Sequence, residues 1–312
     1  MAGISDSPFR QLCKEYGADF VFSEMISATG LCRSDKPGRS DPGKNNLATS
    51  LKSLGYAKFL ERERPVILQI FGHHPEEMAA AAKILVTQNR PDGIDINMGC
   101  PVRKVVNGGS GVALMDHPDL AAEITRAVKS AIGFVPLSVK IRLGNTRPCL
   151  PDFAEKLEKA GADLLIIHPR LRHQFFKGRL DYQAVQFTAR RLSIPVMFSG
   201  GITAATNLDR LSASTSARFF MIGQAALGNP FIFRQIKNPT YRPTRQEILA
   251  TMLRHAELQI AYRRQETGAI TEMRKHFAWY LRGFKNAARW RQQLVRTQRL
   301  SEVKKILLEI DR

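Results

Sequence analysis

The sequence predicts an α/β barrel followed by an all-α domain at the carboxyl end of the chain. Two observations predict this fold class: short runs rich in β-branched and aromatic residues alternate with helix-period segments, and strand signals stop after Phe233. The length of 312 residues suits one barrel of about 250 residues with a small appended domain. We therefore expect a barrel domain over residues 1–233 and a helical domain over residues 234–312.

Seven runs are predicted as parallel strands, because most end in a polar or glycine-rich turn and helix candidates lie between them. These runs are Asp19–Met25, Pro65–Phe71, Gly93–Gly99, Leu137–Leu143, Asp163–His168, Pro195–Gly200 and Arg218–Gly223. A (β/α)8 barrel needs one strand more, and before Gly3 the sequence supplies only Met1 and Ala2. The first strand is therefore expected to be truncated. A start assigned too far downstream is favoured over a shortened chain or a barrel that closes in another way.

The carboxyl-terminal quarter of the chain is predicted to be helical and is strongly basic. Its helix candidates are Gln246–Arg264, Thr271–Phe284, Ala287–Arg296 and Ser301–Ile310. Residues 234–312 hold 18 Lys and Arg against 7 Asp and Glu, so +11 of the formal net charge of +19 lies here. Such segregation predicts a surface for a polyanionic partner, and an ordinary solvated helical face is the alternative.

The composition argues against membrane, secreted and metal-binding classes. No apolar run reaches the roughly 18 residues that span a bilayer, and the first residues lack a signal-peptide pattern. The four cysteines lie far apart, without the spacing of a metal site: Cys13, Cys32, Cys100 and Cys149. We therefore expect a cytoplasmic protein with reduced thiols, no metal and no obligate protein partner. Cys13, in an amphipathic run, is expected to be a small core residue.

A lone thiol, Cys100, is predicted in a turn directly after the buried-strand pattern that begins at Gly93. In an α/β barrel, a residue at the carboxyl end of a strand faces the active site. A thiol with an ordinary pKa of about 8.5 is mostly protonated at neutral pH and can donate a proton. Cys100 is therefore the candidate catalytic residue.

Other strand ends carry the features of a ligand site. Gln69, Lys140 and His168 are polar residues in otherwise apolar strands, which is costly unless a partner such as a ligand pairs them. The last two strands end in glycine turns, where barrels commonly bind a phosphate. The residues of these turns are Ser199, Gly200 and Gly201 in the first and Gly223 and Gln224 in the second.

The stretch from Asp95 through Gly111 and the order of these strand-end residues resemble the tRNA-dihydrouridine synthases, of bacterial type and nearest the subgroup often labelled B. The resemblance implies an FMN site, with NADPH as the reductant. It puts Gln69, Lys140 and His168 on the flavin ring or ribityl chain and Met1 and Ala2 along the ring. The phosphate would be held by the glycine turns, Ser199–Gly201 and Gly223–Gln224.

Two departures from the family pattern affect the expected phosphate site. The usual Asn-Gly-Asp is replaced by Ser199-Gly200-Gly201, and the usual Gly-Arg by Gly223-Gln224. Losing the arginine removes a charge-assisted contact, so weaker FMN binding is expected unless Arg142 or Arg170 compensates.

The resemblance also implies the reaction, which is reduction of specific uridines in tRNA to 5,6-dihydrouridine. Reduced flavin would deliver a hydride to C6 and Cys100 a proton to C5. The residues expected to bind the substrate are Asn97, Arg142, Arg170 and Gln174 at the uracil, and Arg274 and Lys275, with Arg282 and Lys285, at tRNA phosphates. A uridine inside folded RNA would have to be extruded to reach the barrel.

Two other functions fit parts of the sequence. One is a flavin barrel that acts on a free pyrimidine, like a dihydroorotate or dihydropyrimidine dehydrogenase, but a small substrate needs no basic tail. The other is a non-catalytic tRNA-binding protein, which would have no use for Gln69, Cys100, Lys140 and His168.

Overall fold

The computed structural model describes residues 1–32 and 54–311 of the chain. Its core is one parallel sheet of seven strands, each hydrogen-bonded to the next in chain order. The strands are β1 (Val21–Ser27), β2 (Val66–Phe71), β3 (Gly93–Met98), β4 (Leu137–Gly144), β5 (Leu164–Leu171), β6 (Val196–Ser199) and β7 (Phe219–Met221). All seven predicted strands are present, with ends that differ by at most three residues, and the predicted fold class is confirmed.

Helices separate successive strands, as a parallel sheet requires. Those between β1 and β7 include Ala28–Cys32, Pro75–Asn89, Arg103–Val106, Pro118–Ile132, Asp152–Lys159, Tyr182–Arg191 and Leu208–Thr215. Within the described ranges, no strand precedes β1 and no ladder joins β7 to β1. The ring of Phe20 nevertheless lies 6.4 Å from that of Phe219, edge to face, so the amino ends of the two edge strands meet.

Aspartates at the amino edge of the sheet fix where strands begin. The Asp92 carboxylate, just before β3, accepts a hydrogen bond of 2.7 Å from the first N–H of β2 at Val66. Asp163 does the same for Leu137, the first residue of β4, also at 2.7 Å. These side chains satisfy backbone donors that the ladder leaves open, so they help to set the register that aligns the opposite, carboxyl ends.

The chain forms two compact units. The first comprises residues 1–5, 20–202 and 206–222, and the second comprises residues 6–19, 203–205 and 223–312. The helices of the second unit are Ser7–Glu15, Ile232–Lys237, Arg245–Arg263, Glu266–Tyr280, Ala287–Leu294 and Leu300–Asp311. Its longest helix begins at a capping box in which Thr244 and Glu247 bond each other's backbone N–H.

An apolar cluster holds the second unit together. It includes Met252, Met273 and Phe277, all fully buried, from the helices Arg245–Arg263 and Glu266–Tyr280. Cys13 is buried, with 4% of its surface exposed, so its prediction as a core residue is confirmed. All four cysteines are free thiols. Among the described residues, none of the helices combines the length and hydropathy that a membrane span requires.

Candidate active site

Polar side chains of neighbouring strands lie in register towards the carboxyl ends of β2 to β5. Gln69, Asp95 and Ser138 are register partners across β2, β3 and β4. Two residues further along, Asn97 pairs with Lys140, and beyond that Arg142 pairs with His168. Because side chains at alternate positions share one face of a strand, these groups form successive polar layers inside the sheet. The sheet thus brings together Gln69, Asn97, Lys140 and His168, as the sequence predicts.

A chain of hydrogen bonds leads from the buried Asp95 to the Cys100 turn. Asp95 Oδ2 accepts from Gln69 Nε2 at 2.6 Å, and Gln69 Oε1 accepts from Asn97 Nδ2 at 3.0 Å. Asn97 Oδ1 then accepts from the backbone N–H groups of Gly99 and Cys100, at 3.2 and 2.9 Å. Both Asp95 oxygens act as acceptors here, one for Gln69 and the other for the Ser138 hydroxyl, so Asp95 fixes the orientation of both amides. Asn97, predicted as a substrate ligand, therefore uses its polar atoms to hold the turn itself.

The charges beneath this turn are desolvated. Asp95 is fully buried, and burial raises the pKa of its carboxyl well above the ordinary value, opposed by hydrogen bonds from Ser138 and Gln69 and by the charge of Lys140. Desolvation lowers the pKa of Lys140, and the nearby Asp95 opposes that shift. Lys140 as a whole residue is half-buried. The sequence reasoning did not single out Asp95 as a site residue.

Cys100 lies in a tightly packed turn, with only 8% of its surface exposed. Its carbonyl oxygen accepts from the N–H of Val112 at 3.1 Å. Gly111 has φ +65°, and a Cβ there would lie 2.8 Å from the Cys100 carbonyl oxygen and 3.1 Å from the Cys100 Cβ. Glycine is therefore required at 111, both for its backbone conformation and for space.

His168 is held as a neutral imidazole. Its Nε2 lies 3.2 Å from Nη1 of Arg170. A guanidinium only donates, so Nε2 accepts and the proton resides on Nδ1. Burial lowers the pKa of His168 far below its ordinary value, and the charges of Lys140, Arg142 and Arg170 add to the shift. His168 can therefore offer a ligand one N–H donor without a charge.

Arg142 is buried and bonded to main-chain carbonyls. Its Nε donates to Gly99 at 2.8 Å, its Nη1 to Leu171 at 3.2 Å, and both Nη atoms to Phe175 at 3.0 Å. Only 2% of its surface is exposed. The guanidinium joins the residue before Cys100 to the loop after β5.

Arg170 and Gln174 also stabilise the loop after β5. Arg170 donates from Nε and Nη2 to the Gly178 carbonyl at 3.1 and 3.0 Å. Gln174 Oε1 accepts from the Leu171 N–H at 2.7 Å. Both residues, predicted to bind substrate, therefore hold the loop after β5 in place, and Arg170 lies beside His168.

The turn after β6 is shaped by glycines. Gly200 and Gly201 have φ values of +118° and +67°. A Cβ on Gly200 would lie 2.6 Å from Cδ2 and 2.9 Å from Nε2 of His168. The turn thus leaves room for His168 and exposes backbone, the arrangement that a phosphate or a flat ring can approach closely. Gly223 and Gln224 lie in the second unit, where Gly223 precedes the 3-10 helix Gln224–Ala226.

The remaining predicted residues lie at the start of the chain and on a helix of the second unit. Met1 is half-buried, and its carbonyl accepts from Ile4 and Ser5 at 3.1 and 3.0 Å, while Ala2 is exposed. The next residue, Gly3, donates its N–H to Glu24 of β1. On the helix Glu266–Tyr280, Lys275 is exposed, and the half-buried Arg274 donates to the Thr297 carbonyl at 3.3 Å.

These residues fit a flavin by the chemistry of their donors. The ammonium of Lys140 and the Nδ1–H of His168 suit the carbonyl oxygens of a flavin ring, and the strand ends supply them from adjacent strands. The Gly200 turn provides the close backbone approach. In the described part of the chain, no group of three or more His, Cys, Asp or Glu residues is placed to hold a metal ion.

The parallel sheet, with polar side chains gathered towards the carboxyl ends of its strands, is that of an α/β barrel with a candidate site at the strand ends. The old yellow enzyme homologue from Zymomonas mobilis shares this fold, with a TM-score of 0.50 at 14% identity over 79% of this chain and 89% of that one. Morphinone reductase gives a TM-score of 0.50 at 12% identity, over 79% and 85%. At these identities the likeness concerns the fold alone.

Sequence comparison identifies the family within this class. Residues 1–311 match the family described as "Dihydrouridine synthase (Dus)". A probable tRNA-dihydrouridine synthase of Aquifex aeolicus is 30% identical over 99% of this chain and 93% of its own length. A tRNA-dihydrouridine synthase B of Proteus vulgaris is 37% identical over 90% and 84%. The chain belongs to the dihydrouridine synthase family, and the resemblance predicted from the Cys100 motif is confirmed.

Proposed function

We propose that this protein reduces specific uridines of tRNA to 5,6-dihydrouridine, using bound FMN and NADPH. The observation that carries the proposal is the hydrogen-bond chain from Asp95 to the Cys100 turn, beside Lys140 and His168, in a chain of the dihydrouridine synthase family. The names of the relatives add tRNA as the substrate class.

The barrel residues would hold FMN through complementary donors. Lys140 and the Nδ1–H of His168 would bind oxygens of the flavin ring. Gly200 and Gly201 would allow the ribityl phosphate chain of FMN to approach the backbone closely. Met1 and Ala2 are proposed along the ring, and Gly223 and Gln224 as further phosphate ligands. Gln69 donates its amide to Asp95, so its contribution to flavin binding would come through the order of the neighbouring layer.

Cys100 would act as the proton donor. When bound and reduced, FMN would supply the hydride that C6 of uracil needs, and the resulting negative charge would be delocalised onto the C4 carbonyl. The Cys100 thiol then gives its proton to C5, and the thiolate regains one from solvent, so the two hydrogens of the product are accounted for. Arg142 would position this thiol through the Gly99 carbonyl, and Asn97 through the N–H of Cys100 itself.

The second unit would bind the RNA backbone. Residues 234–312 carry +11 of the formal charge, and cations that neutralise RNA phosphates gain affinity because the RNA releases its condensed counterions. Arg274, Lys275, Arg282 and Lys285 are the proposed phosphate contacts. The target uridine would be flipped out of the folded RNA to reach Cys100. With tRNA as substrate, the proposed place of action is the cytoplasm.

The experiment that tests this function combines the purified protein, FMN, NADPH and an unmodified tRNA transcript. Nuclease digestion and mass spectrometry should reveal a uridine that has gained two hydrogen atoms. A transcript that stays unmodified while free orotate or uracil is turned over would favour the pyrimidine dehydrogenase. Tight tRNA binding by a protein that cannot be loaded with FMN would favour the non-catalytic alternative.

A further inference from the structure

Two adjacent phenylalanines project into solvent from the loop that follows β5. Phe175 is 48% exposed and Phe176 is 52% exposed. Phe175 also has φ +48°, a conformation that bulky residues rarely adopt. Folding gains nothing from exposing two aromatic rings, one of them on a strained backbone, and backbone strain of this kind clusters at functional sites. The loop therefore needs a functional explanation.

The loop is held firmly by two arginines of the barrel. Arg142 donates twice to the Phe175 carbonyl, at 3.0 Å, and Arg170 donates twice to the Gly178 carbonyl, at 3.1 and 3.0 Å. The same Arg142 guanidinium bonds the Gly99 carbonyl, directly before Cys100. One planar group thus fixes both the aromatic loop and the catalytic turn, so a substrate presented to Cys100 has its flanking parts near this loop.

The surroundings of the rings favour RNA as the occupant. Residues 164–180 contain no Asp or Glu, and Lys177 and Arg179 are exposed beside the two phenylalanines. The Phe176 ring lies near-parallel to the His168 imidazole, at 6.4 Å and 22°. Exposed aromatic rings among cations are the usual platform for unpaired nucleobases, which stack on the ring while the cations meet the phosphates. A surface for an apolar protein partner would not need the exposed cations Lys177 and Arg179 beside the rings.

We propose that Phe175 and Phe176 form a stacking platform for unpaired nucleotides that flank the uridine presented to Cys100. This inference rests on the proposed function for the identity of the RNA. The platform holds the RNA strand after the target base has left the base stack. It binds bases of any sequence, because every base offers a flat face for stacking. The fixed loop means that little ordering is required when the RNA binds.

A fluorescent base can detect the stacking directly. The probe is an RNA hairpin with a uridine in its loop and 2-aminopurine on either side, mixed with the FMN-loaded protein without NADPH. The wild-type protein should quench the probe. Phe175→Leu keeps the apolar surface without the aromatic face, and it should lose most of the quenching and weaken the Kd about fivefold or more. Phe134→Leu is the matched control, because Phe134 is fully exposed just before β4, at the amino edge of the sheet.

Phe176→Leu is the second variant, and flavin absorbance must accompany it because the centroids of the Phe176 and His168 rings lie only 6.4 Å apart. Wild-type quenching and Kd in both Phe175→Leu and Phe176→Leu would overturn the platform, even if the protein makes dihydrouridine. Quenching that depends on Phe175 and Phe176 would support the platform even if no dihydrouridine forms. In that case the proposed function would fail and the binding inference would remain.

Discussion

The orientations of Gln69 and Asn97 depend on a single carboxylate. Each amide has a donor end and an acceptor end, and Asp95 Oδ2, which accepts, requires Gln69 to present Nε2 to it. Gln69 Oε1 then faces Asn97, whose own oxygen is left for the N–H of Cys100. A residue that touches no substrate thus decides the conformation of the turn that carries the thiol.

Replacing Asp95 separates orientation from charge. In Asp95→Ala the amides lose their fixed direction and a buried donor is left unpaired, so we expect a fall in kcat and a loss of about 2–4 kcal/mol in the free energy of unfolding. Asp95→Asn can still accept from Gln69 while its amide donates to the Ser138 hydroxyl, so it should recover most of kcat. Steady-state kinetics with urea unfolding measure both effects. If the asparagine variant is as impaired as the alanine variant, the charge beside Lys140 matters more than the orientation.

Cys100→Ala tests the proton donor. The variant should keep flavin absorbance and tRNA affinity but lose turnover by about 10²–10⁴-fold, because no other thiol lies in this turn to protonate C5. Single-turnover formation of dihydrouridine is the appropriate measurement, with tRNA binding as the control for folding. Unchanged turnover would remove Cys100 from the mechanism.

The sequence predicts most of these residues but not their connections. Gln69, Lys140 and His168 stand out as polar residues near the ends of apolar strands. Asp95 is also a polar residue in an apolar strand. It lies within the same motif as Cys100, so it does not stand out from the sequence as a separate site residue. Its register with Gln69 and Ser138 depends on how three strands align, which no local pattern specifies.

At the scale of elements, strands are predicted more accurately than helix ends. The strand runs are apolar and bounded by turn residues, so their limits are clear in the sequence. The helix Glu266–Tyr280 begins five residues before the predicted Thr271 and ends four before Phe284. Gly268 weakens the helical signal near its start. Burial of Ala269 and Ile270 stabilises that turn through tertiary contacts, which the sequence pattern does not contain.

The turn after β6 is an element whose function can be tested with one methyl group. Gly200→Ala would place a Cβ 2.6 Å from His168, on a backbone with φ +118°, so we expect displacement of the imidazole and loss of flavin binding. Gly133→Ala is the control, since φ is +62° there and a Cβ meets nothing within 4 Å. Flavin titration should distinguish the two. Equal FMN affinity in both variants would exclude this turn from the cofactor site.

The helical unit contains a buried histidine pair that predicts its response to acid. His255 and His276 have ring centroids 4.4 Å apart, and burial lowers the pKa of both, to about 3 for His255, with Lys275 adding to each shift. Because the folded-state pKa values lie below the unfolded value of about 6.5, the unfolded chain binds protons first as the pH falls. The contribution of this pair to the free energy of unfolding is therefore fully present above about pH 6.5, and it is lost progressively as the pH falls from there to about 3.

His276→Leu should reduce this acid sensitivity. Its Nδ1 is buried without a hydrogen-bond partner, so leucine should cost little at pH 7.5. At pH 5.5, the variant should gain about 1 kcal/mol relative to the wild type, since one group no longer takes up a proton on unfolding. Thermal unfolding at the two pH values measures the difference, with the exposed His173→Leu as the control. A parallel pH profile for His276→Leu and the wild type would contradict the assignment.

At the scale of the whole molecule, sequence-distant segments share one unit. The helix Ser7–Glu15 packs among the carboxyl-terminal helices, where the Tyr16 hydroxyl lies 2.6 Å from Thr251 Oγ1 and Arg254 pairs with Glu15 at 2.7 Å. These partners are more than two hundred residues apart, so no periodicity could predict them. The net charge, in contrast, is a sum over the sequence and could be read directly from it.

The distribution of charge leads to a prediction about salt. If the basic helical unit binds RNA phosphates, log Kd for tRNA should rise steeply and linearly with log salt concentration. Replacing Lys275, Arg282 and Lys285 with alanine should weaken binding. It should also lower the slope of log Kd against log salt concentration by about one for each RNA phosphate that no longer contacts a cation.

The control for this triple variant removes three exposed cations of the barrel unit, Arg62, Lys83 and Arg126, which lowers the net charge by the same amount. Filter binding over a range of salt concentrations distinguishes a local surface from a general effect of charge. A lower slope confined to the helical variant assigns the phosphate contacts to that unit. An equally lowered slope in both variants would mean that the net charge of +19 attracts RNA without a defined surface, and the segregation of charge along the chain would then have no role in recognition.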